Sequence, residues 1–424
     1  MRMPGRGDEL VELSVEHVGA AGDGIAYWRG APVFLPFTVT GDRVRAWLGA
    51  RRSGGREGRA VERIAAGPGR AAPRCPHFGR CGGCALQHLD PALYRTVKVA
   101  ALGAALKRVG IDPGLIAPLR TVPPARRRAR LGLARPRHSR QPARVGFRER
   151  FRHDLVDIRE CPVLEPALFL LVAGLRRLIP ELLAPGATAE ATLTRTDSGL
   201  DLLIEAPEPP VLGALEALAG LAGESDLARI VWRSPEGEIP VVEHRPVRLL
   251  LSGVAVPFPP GAFVQASTAA ESILVAETLA GIGARRPALD LFAGLGVFAF
   301  ALAGAGPVHA VEGDAHAAAA LARAAGMRGI TVERRDLARD PLPPEALAAY
   351  AAAVFDPPRT GALRQAVALA ASGLDTVVAI SCNPATFARD AARLVAGGFR
   401  LERVVPVDQF VWSPHLELAA VFQR

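Results

Sequence analysis

The sequence predicts an α/β protein: a C-terminal doubly wound parallel sheet, Rossmann-like, preceded by a small N-terminal β-barrel and a central α+β segment. From Pro287 onward, apolar runs that end in polar residues or Gly (ALDLF, VHAVEG, ITVERRD, AAAVFDPPR, TVVAISCNP) alternate with Ala-rich helical segments. That is the pattern of βαβ units in a parallel sheet. Residues 9 to about 66 alternate apolar with polar in five short runs: ELVELSVEHV, GIAYWR, APVFLPF, DRVRAWL and RAVERIAA. Turn signals GAAGDG, RGAP and TGD separate them, as in a small barrel of the OB-like kind that often holds nucleic acid. Residues 160–262 mix helical and strand periods with no internal repeat. At 424 residues the chain exceeds one typical domain, and the expected divisions are 1–66, 67–262 and 263–424. A helical segment is expected within 93–122, closing near Pro113 to Pro118 and able to pack on the C-terminal domain.

Half the residues are hydrophobic and 22% are charged, a globular balance that excludes wholesale disorder. Lys and Arg total 51 against 42 acids, a net charge of +9, and only Lys98 and Lys107 are lysines. A basic surplus suits a nucleic-acid partner, and a codon bias toward Ala, Gly, Pro and Arg would produce it equally well. Between Pro123 and Ile158 arginine is dense, with Phe147 and Phe151 interleaved. Such a run can pair phosphates and stack on bases, or be a solvated strand face. Met1 to Leu10 is polar, unlike a signal peptide. Leu291 to Val308 is apolar but is broken by Gly294, Gly296, Gly304, Gly306 and Pro307, which fits strand, turn and helix better than a membrane span. The expectation is a soluble cytoplasmic chain with no membrane contact.

Of five cysteines, three form Cys75-x5-Cys81-x2-Cys84, Cys161 stands apart in RECPVLEP, and Cys382 is left over. An odd number in a long chain argues against a disulfide framework. Four thiolates can close a zinc site or hold a [4Fe–4S] cluster, and spacing does not separate the two.

Ligands of doubly wound sheets sit beyond the carboxyl ends of the strands, so those ends are read together. The first is Asp290-Leu291-Phe292-Ala293-Gly294-Leu295-Gly296, which loosely fits a dinucleotide loop. An acid at the loop entrance would repel a pyrophosphate but suits the cationic sulfonium of S-adenosylmethionine. Glu312 lies 18 residues past Gly294, where a carboxylate can accept ribose hydroxyls, and Asp336 is placed to meet the adenine amine. Asp356 ends the fourth run, in FDPPR. Cys382 ends the next, just before a helix start at Pro384, where a helix N-terminus would lower the thiol pKa and favour a nucleophile. Glu417, in HLEL, is an acid in an apolar run and so a candidate base with a raised pKa.

Together DLFAGLG, VEGD, FDPPRTG, SCNPATFARD and HLEL, with FVQAS at 263–267, resemble in order the RNA uracil-C5 methyltransferase family, over almost the whole chain. The likeness is greatest to its 23S ribosomal RNA branch with an iron–sulfur cluster. The resemblance implies that residues 9–66 are a TRAM domain, an RNA-binding barrel, and that Cys75, Cys81, Cys84 and Cys161 hold a [4Fe–4S] cluster in the central domain. It implies contacts to S-adenosylmethionine from Gln265, Phe292, Gly294, Val297, Glu312, Asp336 and Asp356. Val297 stands where relatives often carry Asn. It further implies that Cys382 adds to uracil C6 and that Glu417 removes the C5 proton, on a base taken out of its stack. The expected partner is 23S rRNA, with tRNA as the runner-up and no DNA. Other readings predict other residues. A radical methylthiotransferase would carry a C-x3-C-x2-C triplet, amino-group methylation would place an aromatic residue after DPP, and a zinc RNA-binding protein would need neither Cys382 nor Glu417.

Overall fold

The computed structural model describes residues 9–52, 54–138, 140–152 and 154–424. The first eight residues, part of the expected barrel segment and of the leader reading, lie outside them. Three large sheets follow one another along the chain.

The first takes six strands rather than five, because ELVELSVEHV breaks into Glu9–Ser14 and His17–Val18. With Gly24–Trp28, Ala31–Leu35, Arg43–Arg52 and Gly55–Ala65 it curls around Val11, Leu13, Val33, Leu35, Val44 and Leu48. Alternation along each strand puts these on one face. The buried carboxylate of Asp42 fastens this body to the cysteine loop: it accepts from Val39 and Gly67 N–H groups at 2.8 and 2.9 Å and pairs with Arg70.

The second sheet has seven strands in the order 155–157, 144–148, 128–134, 188–196, 199–205, 227–234, 237–243. Helices Pro166–Leu182 and Leu212–Glu224 cover one face through Leu168, Leu171, Leu175, Leu218 and Leu221.

The third sheet has eight strands in the order 330–334, 308–312, 288–291, 352–355, 376–381, 417–423, 400–408, 120–121. Its first five are parallel, and Glu417–Gln423 runs antiparallel to both neighbours. The topological switch between 288–291 and its two neighbours opens the crevice where such sheets bind ligands. Within 93–122 the helix is shorter than expected. It runs Pro91–Arg108, capped by Asp90, whose carboxylate accepts from Ala92 and Leu93 N–H. After Gly110 the chain makes a short turn at Pro113–Leu115, and Arg120–Thr121 then joins the third sheet beside Val407–Asp408. Proline removes the donors a longer helix would need, and the sheet edge takes the segment instead. The helix packs Leu102 and Leu106 into the same core as Phe387 and Leu394. No helix among the described residues is long and apolar enough to cross a membrane.

Candidate active site

Strand ends and glycines build the site floor. Phe292, Gly294 and Gly296 all take positive φ (61°, 55° and 91°). A Cβ on Gly296 would come within 2.4 Å of Leu321, so the loop closes tightly only with glycine there. Gly294 has open space beside it. Its N–H donates to Glu312 Oε2 at 2.7 Å, while Glu312 Oε1 accepts from Asp314 at 2.6 Å. Glu312 therefore braces the loop and keeps a lone pair on each oxygen. Val297 begins the helix Val297–Ala303 and packs against the core. Asp336 is exposed, accepting from Ala338 N–H at 3.1 Å.

Asp290 departs from expectation. It lies fully buried under the loop, accepting from Ala299 N–H at 2.8 Å with its other oxygen unpartnered. Burial, then the charges of Asp356 and Glu312, push its carboxyl far above the usual range. It is a buried strut of the loop, not an acid at its entrance, so it does not separate a sulfonium from a pyrophosphate.

The catalytic candidates come together around one chain of amides. Gln265 Nε2 donates to Asp356 Oδ2 at 3.1 Å. Gln409 Nε2 donates to Gln265 Oε1 at 2.9 Å and to Glu417 Oε2 at 2.5 Å. Gln409 Oε1 accepts from Ala266 N–H at 3.0 Å, which fixes the amide's orientation. Glu417 is 3% exposed. Burial, then the charge of Asp356, push its carboxyl well above the ordinary value against the Gln409 bond. Burial likewise raises Asp356 to about 7.

Cys382 follows strand Thr376–Ser381, and Asn383 caps the helix Pro384–Ala396 by accepting from Ala385 N–H. The thiol sits close enough to feel Glu417, Asp356 and Arg359. The expected lowering of its pKa is overturned. Burial, then Glu417 and Asp356, raise it to about 11, outweighing a backbone hydrogen bond and Arg359.

The other four cysteines are half-buried free thiols. The loop 75–84 is stitched to the central sheet by Gly82 N–H to Arg148 O and Arg150 N–H to Arg80 O, and to the Cys161 segment by Arg159 N–H to His77 Nε2 at 2.9 Å. Cys75, Cys81 and Cys84 each feel the charge of Cys161. Burial first, then the neighbouring thiols, raise Cys81 to about 11 and Cys84 to about 12. Gly83 N–H donates to Cys81 Sγ at 3.4 Å, and Gln87 accepts from Cys75 N–H. Among the described residues, no group of three or more His, Cys, Asp or Glu side chains is set to hold a metal ion.

Part of the arginine run turns inward, while Arg130, Arg137, Arg140, Arg148 and Arg152 stay exposed. Arg127 is buried, donates to Gln265 O at 2.9 Å and pairs with Glu271 at 2.5 Å. Arg128 donates to Gly261 O, as Arg229 and Arg233 do to Phe258 and Pro260. These guanidinium groups pin the segment leading to Gln265 onto the central sheet. Arg150 joins Asp23 of the first sheet's segment and lies over Phe37 and Phe151. Alanine at 127 would strand Glu271, so Arg127→Ala is expected to lower unfolding free energy by about 3–5 kcal/mol in denaturant titration.

Residues 342–424 match the family described as tRNA (Uracil-5-)-methyltransferase. The 23S rRNA (uracil(1939)-C(5))-methyltransferase of Chromohalobacter salexigens is 36% identical over 97% of this chain and 89% of its own. The chain belongs to the RNA uracil-C5 methyltransferase family. An RNA methyltransferase of Brucella suis, named as uncharacterized, is 41% identical over 97% of this chain and 98% of its own. The fold is that of the Pyrococcus abyssi tRNA (uracil-54, C5)-methyltransferase, solved with S-adenosyl-L-homocysteine: TM-score 0.73 at 22% identity, over 97% of this chain and 100% of that one. In this methyltransferase, sequence reading missed Gln409, because a glutamine in a loop carries no periodic or motif signal. It also missed Arg127 as a brace of the Gln265 segment, since one arginine in a dense run looks like any other.

Proposed function

We propose that the enzyme methylates C5 of one uridine in 23S rRNA through a covalent bond from Cys382 to uracil C6. The observation that carries this is the gathering of Cys382, Asp356 and buried Glu417 at adjacent strand ends around Gln265 and Gln409. S-adenosylmethionine, when bound, supplies the methyl on a sulfonium. Cys382 gives up its thiol proton to solvent, and the resulting thiolate bonds to C6 as the C5–C6 π pair shifts, leaving C5 enolate-like. C5 then takes the methyl as its bond to the sulfonium sulfur breaks. Glu417 removes the C5 proton, and the C6–S bond breaks to restore the thiolate. Asp356 and Gln265 orient the reactants, and Phe292, Gly294, Val297, Glu312 and Asp336 line the cofactor crevice. Asp356, if it held a cationic donor, would have its charge on Cys382 offset and so would favour the thiolate. Residues 9–66 serve as a TRAM-type RNA-binding barrel.

A [4Fe–4S] cluster on Cys75, Cys81, Cys84 and Cys161 is supported by thiol chemistry alone: Cys84 feels the charges of the other three and a backbone N–H is aimed at Cys81, while the four side chains are not set as a metal site as they stand. Because burial raises Cys81 and Cys84, loading there displaces protons and weakens as pH falls. Protein purified without oxygen is expected to carry iron and acid-labile sulfide, and Cys161→Ser to lose most of both. Zinc without sulfide would contradict the cluster.

A tRNA substrate is the second reading, favoured by the family description matched by residues 342–424 and by the fold neighbour. Labelled methyl transfer to a 23S fragment and to tRNA transcripts separates them. Faster transfer to rRNA supports the first reading, transfer to tRNA alone supports the second, and transfer to neither overturns both.

A further inference from the structure

One buried ion cluster takes no part in the chemistry above. Lys98, on the helix Pro91–Arg108, is 1% exposed. Its ammonium lies 2.6 Å from Asp408 Oδ1 and donates to the carbonyls of Phe410 (3.2 Å), Ser413 (2.9 Å) and His415. Tyr94 donates its hydroxyl to Asp408 Oδ2 at 2.5 Å and accepts from Trp412 N–H at 3.0 Å. Every one of these partners lies in 408–415, the end of strand Arg400–Asp408 and the turn that leads from it to strand Glu417–Gln423. Gln409 stands at its start, and Glu417 follows its end. Trp412, at φ +58°, is held from the other side too: its carbonyl accepts from Ala85 and Leu86 N–H groups at 2.8 and 2.9 Å.

An ammonium has three protons, and here they face three carbonyls of an irregular turn beside a carboxylate. Burying such a pair adds little net stability compared with apolar residues of the same volume. What it does supply is position, because the turn has no ladder of its own to fix it. We propose that Lys98, with Tyr94 and Asp408, is a positioning residue for the catalytic base. It holds 408–415 in the arrangement in which Gln409 reaches Gln265 and Glu417 together. This rests on the reading of Glu417 as the base that removes the C5 proton.

Because that step follows attack and methyl transfer, its loss has a signature. The methylated adduct on Cys382 accumulates with ordinary uridine RNA. The test compares Lys98→Met, Tyr94→Phe and Glu417→Gln for kcat, KM, folded fraction by circular dichroism, and denaturation-stable adduct. Expected are a fall in kcat of roughly 10²-fold for Lys98→Met and roughly tenfold for Tyr94→Phe, part of what a positioned base contributes. KM is expected to stay within about twofold, with adduct in both variants. If Lys98→Met does not fold, Tyr94→Phe decides, since it removes one hydroxyl only. Wild-type kcat, or a kcat that falls only with the folded fraction and leaves no adduct, overturns the positioning role. Adduct in Glu417→Gln but in neither other variant overturns that role alone. No adduct in Glu417→Gln overturns the reading of Glu417 on which it rests.

Discussion

Cys382→Ala is expected to abolish turnover, lowering kcat by about 10⁴–10⁶, the range seen when a covalent nucleophile is removed. Uracil C5 is too poor a nucleophile to take a methyl unaided, so without a bond at C6 the remaining binding groups have nothing to act on. The change should leave the fold intact. Removing a half-buried thiol beside two acids is expected to shift unfolding free energy by no more than about 1 kcal/mol. Inactivity with an unchanged melting temperature is therefore the expected pair of results. The wild-type enzyme provides a control. Its thiol is pushed up to about 11, so thiolate is scarce at neutral pH and the rate of adduct formation should climb as pH rises toward that value. A rate flat between pH 6 and pH 9 would mean that the thiol is already ionised in the complex.

Glu417→Gln carries the second large effect, a fall in kcat of about 10²–10⁴, measured as product formation over many turnovers. The two side chains have nearly the same shape. An amide oxygen can accept the Gln409 N–H that Glu417 now accepts at 2.5 Å. The carboxyl is buried and raised by desolvation and by Asp356, so the folded state holds its proton longer than the unfolded chain does. Stability from this group is therefore lost as pH climbs from the unfolded value near 4.5 toward the folded one. Gln has no such penalty. The variant should melt at or slightly above the wild-type temperature at neutral pH while losing catalysis, a trade expected where a group is strained for function. A lower melting temperature with proportionate loss of activity would instead make Glu417 a structural residue.

Much of this architecture is legible in the residues. The alternation of apolar runs with Ala-rich helices carries the parallel sheet, because strands buried on both faces must be nearly all apolar. The acids and the cysteine that end those runs stand out for the same reason. Chemistry there interrupts a pattern that packing alone would continue. Other features have no local signal. The helix within 93–122 was overestimated because its continuation is decided by a sheet edge some 290 residues away, where Arg120–Thr121 pairs with Val407–Asp408. The pKa of Cys382 was misjudged because a helix start is visible in sequence, whereas the burial and the two acids that raise that pKa are tertiary. The arginine run reads as one basic patch, yet Arg127, Arg128 and Arg150 are bound to carbonyls and carboxylates brought from distant segments. Gln409 is the sharpest case, since its meaning lies wholly in what it bridges.

The central claim is the covalent bond between Cys382 and the target base. Purified enzyme, S-adenosylmethionine and a 23S rRNA fragment carrying 5-fluorouridine should yield a denaturation-stable adduct, because fluorine at C5 cannot leave as a proton. Digestion and mass spectrometry should find the nucleotide on the peptide containing Cys382, absent in Cys382→Ala and retained in Glu417→Gln. No adduct with any ribosomal or transfer RNA, or an adduct on another cysteine, would contradict it.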